Sequence, residues 1–430
     1  MTTDDSSQAA STFAVSSRPI VVVGGGVIGA ACASALADRG CQVLLIDRAE
    51  FGRGCSHGNC GYVSPSHILP LCRPGMIGEA LRTLFRRNSP LQLRVRLDLA
   101  QWLWFWRFAR HCTERHMLAA GRARQSLLDS SRQLYQSFID NGILTNCDWE
   151  ARGLLFVHRS RKHFDDFAKT DELLRREFGL GAERLEETAL LEREPALKPG
   201  IAGAWLYECD AHLRSDKLMQ AWKRRLIEQG VTIRENCELI HVQRGDGLIS
   251  AIQTSTGRIE LDQLVIATGA WTRILQSELG TRVPIEPGKG YSITMRRPVR
   301  CPVYPMIFEE DRVAITPFAS GYRIGSTMEF AGFSRSLKPE RLQILIDGAK
   351  RYLHDPVTEP FLETWFGWRP MSCDGVPMIG RIPKLENAWI AAGHSMLGLS
   401  MAPGTGRLLA ELLTGETPHV DPTPFRLDRF

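Results

Sequence analysis

At 430 residues the chain is longer than one hydrophobic core usually serves, so two domains, or one domain with a large insertion, is the expectation. An apolar fraction of 43% and a charged fraction of 23% are those of a soluble globular protein. The net charge of +5 comes with no basic stripe alternating with aromatics, which gives no case for a nucleic-acid partner. Eleven cysteines lie scattered without C-x-x-C or a matching histidine cluster, a pattern of reduced thiols in a cytoplasmic compartment rather than of disulfides or zinc, so no metal is expected.

Residues 1–17 are small and polar, with no apolar core of the kind a secretory signal needs, and read as a disordered tail. The stretch from Arg18 to Asp47 then organises the chain. Ile20 to Val23 make a short buried strand, and the turn after it carries Gly24, Gly26 and Gly29 in the spacing G-x-G-x-x-G. Gly24 allows the tight turn, Gly26 lets a pyrophosphate approach the backbone, and Gly29 lets the helix that follows, with Val27 and Ile28 at its start, pack against the sheet. A second strand, Val43 to Ile46, delivers Asp47 and Arg48 about 20 residues on, where a carboxylate bonds a ribose 2′-hydroxyl. Strand, glycines, helix, strand and acid in that order predict an adenine-dinucleotide site, and an aspartate at the ribose argues against NADP.

The second glycine-rich loop, Gly52 to Gly61, separates NAD from FAD. Nicotinamide enzymes have no general need for it, whereas an extended FAD is followed by backbone amides down to its ring. Within it Cys55 and Cys60, with four residues between them, lack the usual form of a redox disulfide.

From Pro74 to about Pro199 the pattern becomes helical and rich in arginine. Asp98 to Arg110 holds Trp102, Trp104, Phe105, Trp106 and Phe108 behind Arg82, Arg86, Arg87, Arg94 and Arg96. This run is too short to span a bilayer. It reads as a buried helix of a cap or as an interfacial membrane patch. Leu127 to Gly142 and Phe164 to Phe178 are further amphipathic helices, and Ser215 is placed to cap another that stops at Gly230. The chain then turns β-rich, through Leu239 to Val242, Ser250 to Thr254 and Leu264 to Ala267, the last opening into Gly269 as though returning to the first sheet. Strands at Tyr291 to Met295, Val313 to Thr316 and Tyr322 to Ile324 suit an antiparallel floor of a second domain. Trp389 to Ala392 is a final strand before Gly393, His394 and a helix.

Five ordered blocks, GGGVIG with Asp47, SHGNCGYVSPSHILPLCRPG, PGKGYSITM, WRPMSCDGVPMIGR and AAGHSMLGLSMAPGTGRLLAELL, resemble the FAD-dependent glycine/D-amino acid oxidase superfamily, nearest its D-amino acid dehydrogenase branch. The resemblance implies an α/β fold: a Rossmann-like FAD-binding domain of the glutathione reductase type plus an α+β substrate domain with an antiparallel sheet. It places the FAD domain discontinuously at 18–75, 200–283 and 362–430, and the substrate domain at 76–199 and 284–361. The implied reaction passes the α-hydrogen of an amino acid to the flavin as hydride, leaving an imine that water hydrolyses to a 2-oxo acid and ammonia.

The same resemblance implies site residues. Arg369 would hold the substrate carboxylate, a task a guanidinium performs with two parallel hydrogen bonds. Arg323 is the second candidate, at a position where a related oxidase carries a lysine thought to activate oxygen. Tyr291, Tyr322 and His394 complete the set. Ser56, His57, Asn59, Gly61 and Tyr62 are expected along the ribityl chain and ring, Leu239 at the adenine, and Gly269, Gly393, Met396, Leu397, Gly398 and Leu399 at the ring and the helix N-terminus facing it. Some relatives hold FAD through a cysteine at the position of Gly367, so non-covalent FAD is expected. The expected substrate is a D-amino or D-imino acid, and the acceptor a quinone or an electron-transfer protein. The location is cytoplasmic, with peripheral contact at the inner face of a membrane left open. A D-proline or cis-4-hydroxy-D-proline dehydrogenase, an oxygen-using oxidase, and the FAD subunit of a multi-subunit enzyme are the alternatives.

Overall fold

Ile20–Val23 and Val43–Ile46 are entirely apolar and entirely buried, the composition of parallel strands covered on both faces. They pair in parallel from Ile20 with Val43 to Val23 with Ile46. The chain is described from a computed structural model over residues 18–84, 91–94 and 96–430; the tail 1–17, Arg86 and Arg87 lie outside the described residues. Thr232–Arg234 extends this sheet on one side, and Gln263–Ile266 and Ala388–Ala392 extend it on the other, all parallel. Met378–Arg381 closes that edge antiparallel. Three separated parts of the chain thus build one sheet.

The last helix, Gly398–Thr414, is wedged between the first helix, Val27–Ala37, and the long helix Glu114–Asp140. Glycine makes both contacts possible: a Cβ on Gly406 would stand 2.4 Å from the Ala31 carbonyl oxygen, and one on Gly404 would stand 2.8 Å from Ser131 Oγ. Pro403 inside this helix has no N–H to give, which frees the carbonyl four residues back. That carbonyl, on Leu399, accepts instead from the buried Tyr135 hydroxyl at 2.9 Å.

The second sheet runs in the order Glu363–Ser372, Ile285–Met295, Gly321–Phe330, Val313–Phe318, Met306–Phe308, Leu154–His158, Gly203–Tyr207, Glu183–Glu186, with Leu91–Leu93 beside Gly321–Phe330. It is mixed rather than purely antiparallel, since Met306–Phe308 pairs in parallel with Leu154–His158, and Leu91–Leu93 with Gly321–Phe330. Gly203–Tyr207 and Glu363–Ser372 fall in segments expected for the FAD domain, yet both pair here. A turn signal such as Pro199-Gly200 marks where the chain bends, not which sheet the next strand joins.

One local expectation differs from the structure. The helix Ser215–Glu228 has Arg214 at its N-cap, and the Ser215 hydroxyl turns away to the carbonyls of His57 and Asn59 at 2.8 and 2.9 Å. The Trp-rich helix, Leu99–His111, is buried on one face only: Trp104 is buried and donates to the Met371 carbonyl at 3.0 Å, while Trp102 and Trp106 are 48% and 54% exposed. Asp98 caps it, and a charged cluster of Asp98 and Glu286 with Arg96 and Arg273 ties its start to the strand Ile285–Met295.

Candidate active site

The glycine turn after the first strand shows why each glycine is there. Gly24 has φ +113°, and a Cβ on it would stand 2.5 Å from the Ala267 carbonyl oxygen. A Cβ on Gly29 would stand 1.8 Å from the Gly24 carbonyl oxygen, so the helix packs on the turn only without one. A Cβ on Gly26 would meet only Ser56 Oγ, at 3.4 Å, on the side that opens into a long cleft. Ser56 Oγ accepts from Val27 N at 3.0 Å, which fixes the second glycine loop against the helix start. Asp47 accepts from Gly25 N at 2.6 Å and from Ala49 N at 2.8 Å. Burial pushes its carboxyl above the ordinary range, and those two backbone bonds oppose the shift.

The cleft begins where Asp47, Arg48, Leu239 and Trp271 surround an end pocket, with the Arg48 guanidinium 3.5 Å above the Trp271 ring. It continues past Gly26, Ser56, Asn59 and Gly269 to His394, Met396, Gly398 and Leu399. Three features suit a long ligand with phosphates near the first helix and a polar-edged ring at the far end. Gly269 has φ +57° with nothing within 4 Å of a built Cβ. His394 is buried with Nδ1 unpartnered, its Nε2 lying 3.0 Å from Thr405 Oγ1. The 17-residue last helix starts at the cleft wall with Gly398 and Leu399, so its first-turn N–H groups and positive dipole end lie where the ring of such a ligand would be held. These residues fit FAD.

Past Arg369 and Met396 the cleft adjoins a cavity of about 120 Å³, lined among others by Tyr62, His67, Tyr291, Ser326 and Trp365. Arg369 lines both spaces. Its Nη1 donates to the Thr327 carbonyl at 2.7 Å, and among the described residues no carboxylate forms an ion pair with it. Burial lowers its pKa, with only the Cys55 and Cys60 thiols nearby to oppose that. A half-buried guanidinium with free donors beside a small cavity is a receptor for a carboxylate.

The other candidates divide. Tyr291 lines the cavity, its hydroxyl donating to Glu329 at 2.8 Å. Tyr322 does not: it is buried in the apolar core with Ile293 and Met295, its hydroxyl unpartnered. Arg323 is fully buried and fully engaged, donating to Thr294 Oγ1 at 2.9 Å, the Asn59 carbonyl at 2.6 Å and Asp216 at 3.1 Å. It bonds the carbonyls of the loop 57–59 and lines neither the cavity nor the cleft. Burial pushes His394 down to about 3, so its ring is neutral at physiological pH and a poor general base.

Gly24, Gly26, Val27, Ile28, Asp47, Arg48, Ser56, Asn59, Gly269, Met396, Gly398 and Leu399 line the cleft, and Leu239 its end pocket. Gly29, His57, Gly61, Tyr62, Gly393 and Leu397 do not. The His57 ring turns to Glu363 at 2.8 Å, Gly61 packs against the Leu213 carbonyl, and Tyr62 and Leu397 line the small cavity. Gly393 packs against Met378. Trp271 and Trp365 were not legible as site residues; the only sequence signals for Trp365 are the glycines at 58 and 367 that seat it.

A parallel sheet with a dinucleotide cleft at the carboxyl ends of its strands, roofed by a second sheet that presents a guanidinium, defines a dinucleotide-dependent oxidoreductase. The family described as FAD dependent oxidoreductase, DAO, matches residues 19–412, and this chain belongs to it. The D-amino acid dehydrogenase of Granulibacter bethesdensis is 32% identical over 422 residues, covering 96% of this chain and 99% of that protein. The D-amino acid dehydrogenase of Methylobacterium nodulans is 33% identical over 416 residues, covering 93% and 96%. Among solved structures, glycine oxidase from Geobacillus kaustophilus superposes with a TM-score of 0.78 at 22% identity, covering 96% of this chain and 99% of that one, which shows the shared fold.

Proposed function

We propose that this chain is a D-amino acid dehydrogenase holding FAD without a covalent bond. The observation that carries the reading is Arg369, a half-buried guanidinium with no carboxylate partner among the described residues, placed where the cofactor cleft meets a small cavity. Full-length relatives named D-amino acid dehydrogenase support the substrate class. Arg369 binds the substrate carboxylate and Tyr291 walls the cavity in which the side chain sits. Bound FAD supplies the acceptor for the α-hydrogen, which leaves as hydride, and water then converts the released imine to a 2-oxo acid and ammonia. Gly398 and Leu399 aim backbone N–H groups at the place where negative charge accumulates. Cys55 lines the cleft, but burial pushes its thiol up to about 11, which leaves it protonated and unsuited to form a flavin bond.

For the acceptor we infer a quinone or an electron-transfer protein. The Trp-rich helix supports peripheral membrane contact, because half-exposed Trp102 and Trp106 border an apolar groove of about 410 Å³ whose wall includes Trp104 and Phe330. No helix among the described residues is long and apolar enough to cross a membrane.

The test is anaerobic bleaching of the bound flavin by matched D- and L-alanine, proline and cis-4-hydroxyproline, followed by air. Bleaching by several D-isomers with slow reoxidation is the expected result. Bleaching by the cyclic D-compounds alone selects the narrower D-proline or hydroxyproline enzyme, and bleaching by L-isomers alone overturns the assignment.

A further inference from the structure

We propose that Trp365 sets the upper size limit on the substrate side chain, held in place because Gly58 and Gly367 have no side chains. The inference rests on the amino-acid reading above and names the residue that narrows it.

The indole lies between two backbones. A Cβ on Gly58 would stand 2.2 Å from Trp365 Cδ2, and a Cβ on Gly367 would stand 2.2 Å from Cζ2. The ring therefore touches the second glycine loop at one edge and its own strand at the other, and it has no room to retreat towards either.

The loop cannot yield. The Gly58 carbonyl accepts from Ser292 Oγ at 2.9 Å, that of Asn59 from Arg323 Nη1 at 2.6 Å, and that of Cys60 from Thr316 Oγ1 at 2.7 Å. Moving it would take these donors from all three carbonyls at once. Trp365 is thus a fixed wall rather than a mobile cover.

Register puts this wall beside the carboxylate hook. Gly290 pairs with Gly367, and the Arg369 guanidinium lies over Gly290, its Cζ 2.5 Å from where a Cβ would be. Guanidinium and indole therefore sit side by side on one rung of the sheet, and both line the small cavity. A substrate anchored through its carboxylate meets the indole with its side chain, which favours small or compact cyclic residues over large aromatic ones.

The experiment compares the flavin-loaded wild type with Trp365→Ala and Trp365→Phe. The first readout is kcat/KM for D-alanine, D-proline and D-phenylalanine. The second is binding of acetate, benzoate and 1-naphthoate, followed by the change in flavin absorbance. Expected for Trp365→Ala is a rise of at least tenfold in the D-phenylalanine to D-alanine ratio of kcat/KM, with a similar gain for naphthoate over acetate, and Trp365→Phe falling between. A variant that retains flavin with unchanged ratios overturns the proposal, and Trp365→Phe carries the test if the alanine variant does not fold. If no D-amino acid is turned over, the carboxylate series decides alone: a shifted naphthoate-to-acetate ratio supports the size limit and removes only the D-amino acid reading, while an unshifted one removes the size limit.

Discussion

The carbonyl oxygen of Thr327 accepts from Nη1 of Arg369 at 2.7 Å, and it faces the guanidinium because Thr327 holds a φ of 52°. Lys289 pairs with Glu329 and Tyr291 with Ser326, so two residues, Thr327 and Met328, oppose the single Gly290. This bulge turns the chain inward at the site.

A β-branched residue in the left-handed region carries strain of about 1–3 kcal/mol, and the Thr327 hydroxyl is buried without a partner. Thr327→Gly removes both penalties and keeps the carbonyl. The expected outcome is a gain of about 1 kcal/mol in unfolding free energy by urea titration, with KM for D-alanine changed by less than about threefold. A loss of stability would show that the side chain supports the bulge.

Removing the guanidinium itself acts on binding. On the proposed role, Arg369→Met deletes the charge-assisted bonds to the substrate carboxylate, and the expected outcome is a rise in KM of about two orders of magnitude with the flavin spectrum unchanged. Arg369→Lys keeps a point charge but loses the fork, so it recovers only part of the loss. Unchanged kinetics in the methionine variant would remove Arg369 from the site.

Arg323 tests the opposite role. Arg323→Met takes from the Asn59 carbonyl one of its two donors, leaving Ser215 Oγ, and leaves the partly buried Asp216 without one of its two cations, so stability and cofactor retention suffer before substrate binding does. The expected outcome is a fall of about 3 kcal/mol or more in unfolding free energy and a weaker hold on FAD, read by flavin release on dilution. A stable variant with full flavin and a raised KM would return Arg323 to the substrate.

These two arginines mark what the sequence could and could not tell. The glycine turn and Asp47 were legible because their roles are local: strand, turn and helix lie within thirty residues, and the clash at Gly29 involves only Gly24. Arg369 and Arg323 both lie on strands among aromatic and apolar residues. Only the pairing of distant segments decides that loop 57–59 occupies one guanidinium while the other is left without a carboxylate at the cavity. Trp365 was hidden for the same reason, since its seat joins a loop and a strand some 300 residues apart. Tyr322 was misread because it shares a sheet face with Tyr291 but pairs with Met295, four residues further along that strand and away from the cavity, a register that local sequence does not reveal.

Asp210 is expected to make stability depend on pH. It is fully buried, accepting from Ser66 N at 3.0 Å and Ser66 Oγ at 2.5 Å, and burial pushes its carboxyl up to about 7. In the unfolded chain an aspartate titrates near 3.9. Between those values the native state binds more protons than the unfolded one, so unfolding free energy falls as pH rises. The favourable contribution is complete below about pH 4 and lost above about pH 7. At about 1.4 kcal/mol per pH unit, the wild type is expected to lose about 2–3 kcal/mol relative to Asp210→Asn between pH 5 and pH 8. The asparagine keeps an acceptor for Ser66 N and cannot ionise, so its own curve lacks this slope. Urea unfolding of both proteins at pH 5, 6, 7 and 8 reads the difference directly, and parallel curves would show that Asp210 is ionised in the native state throughout.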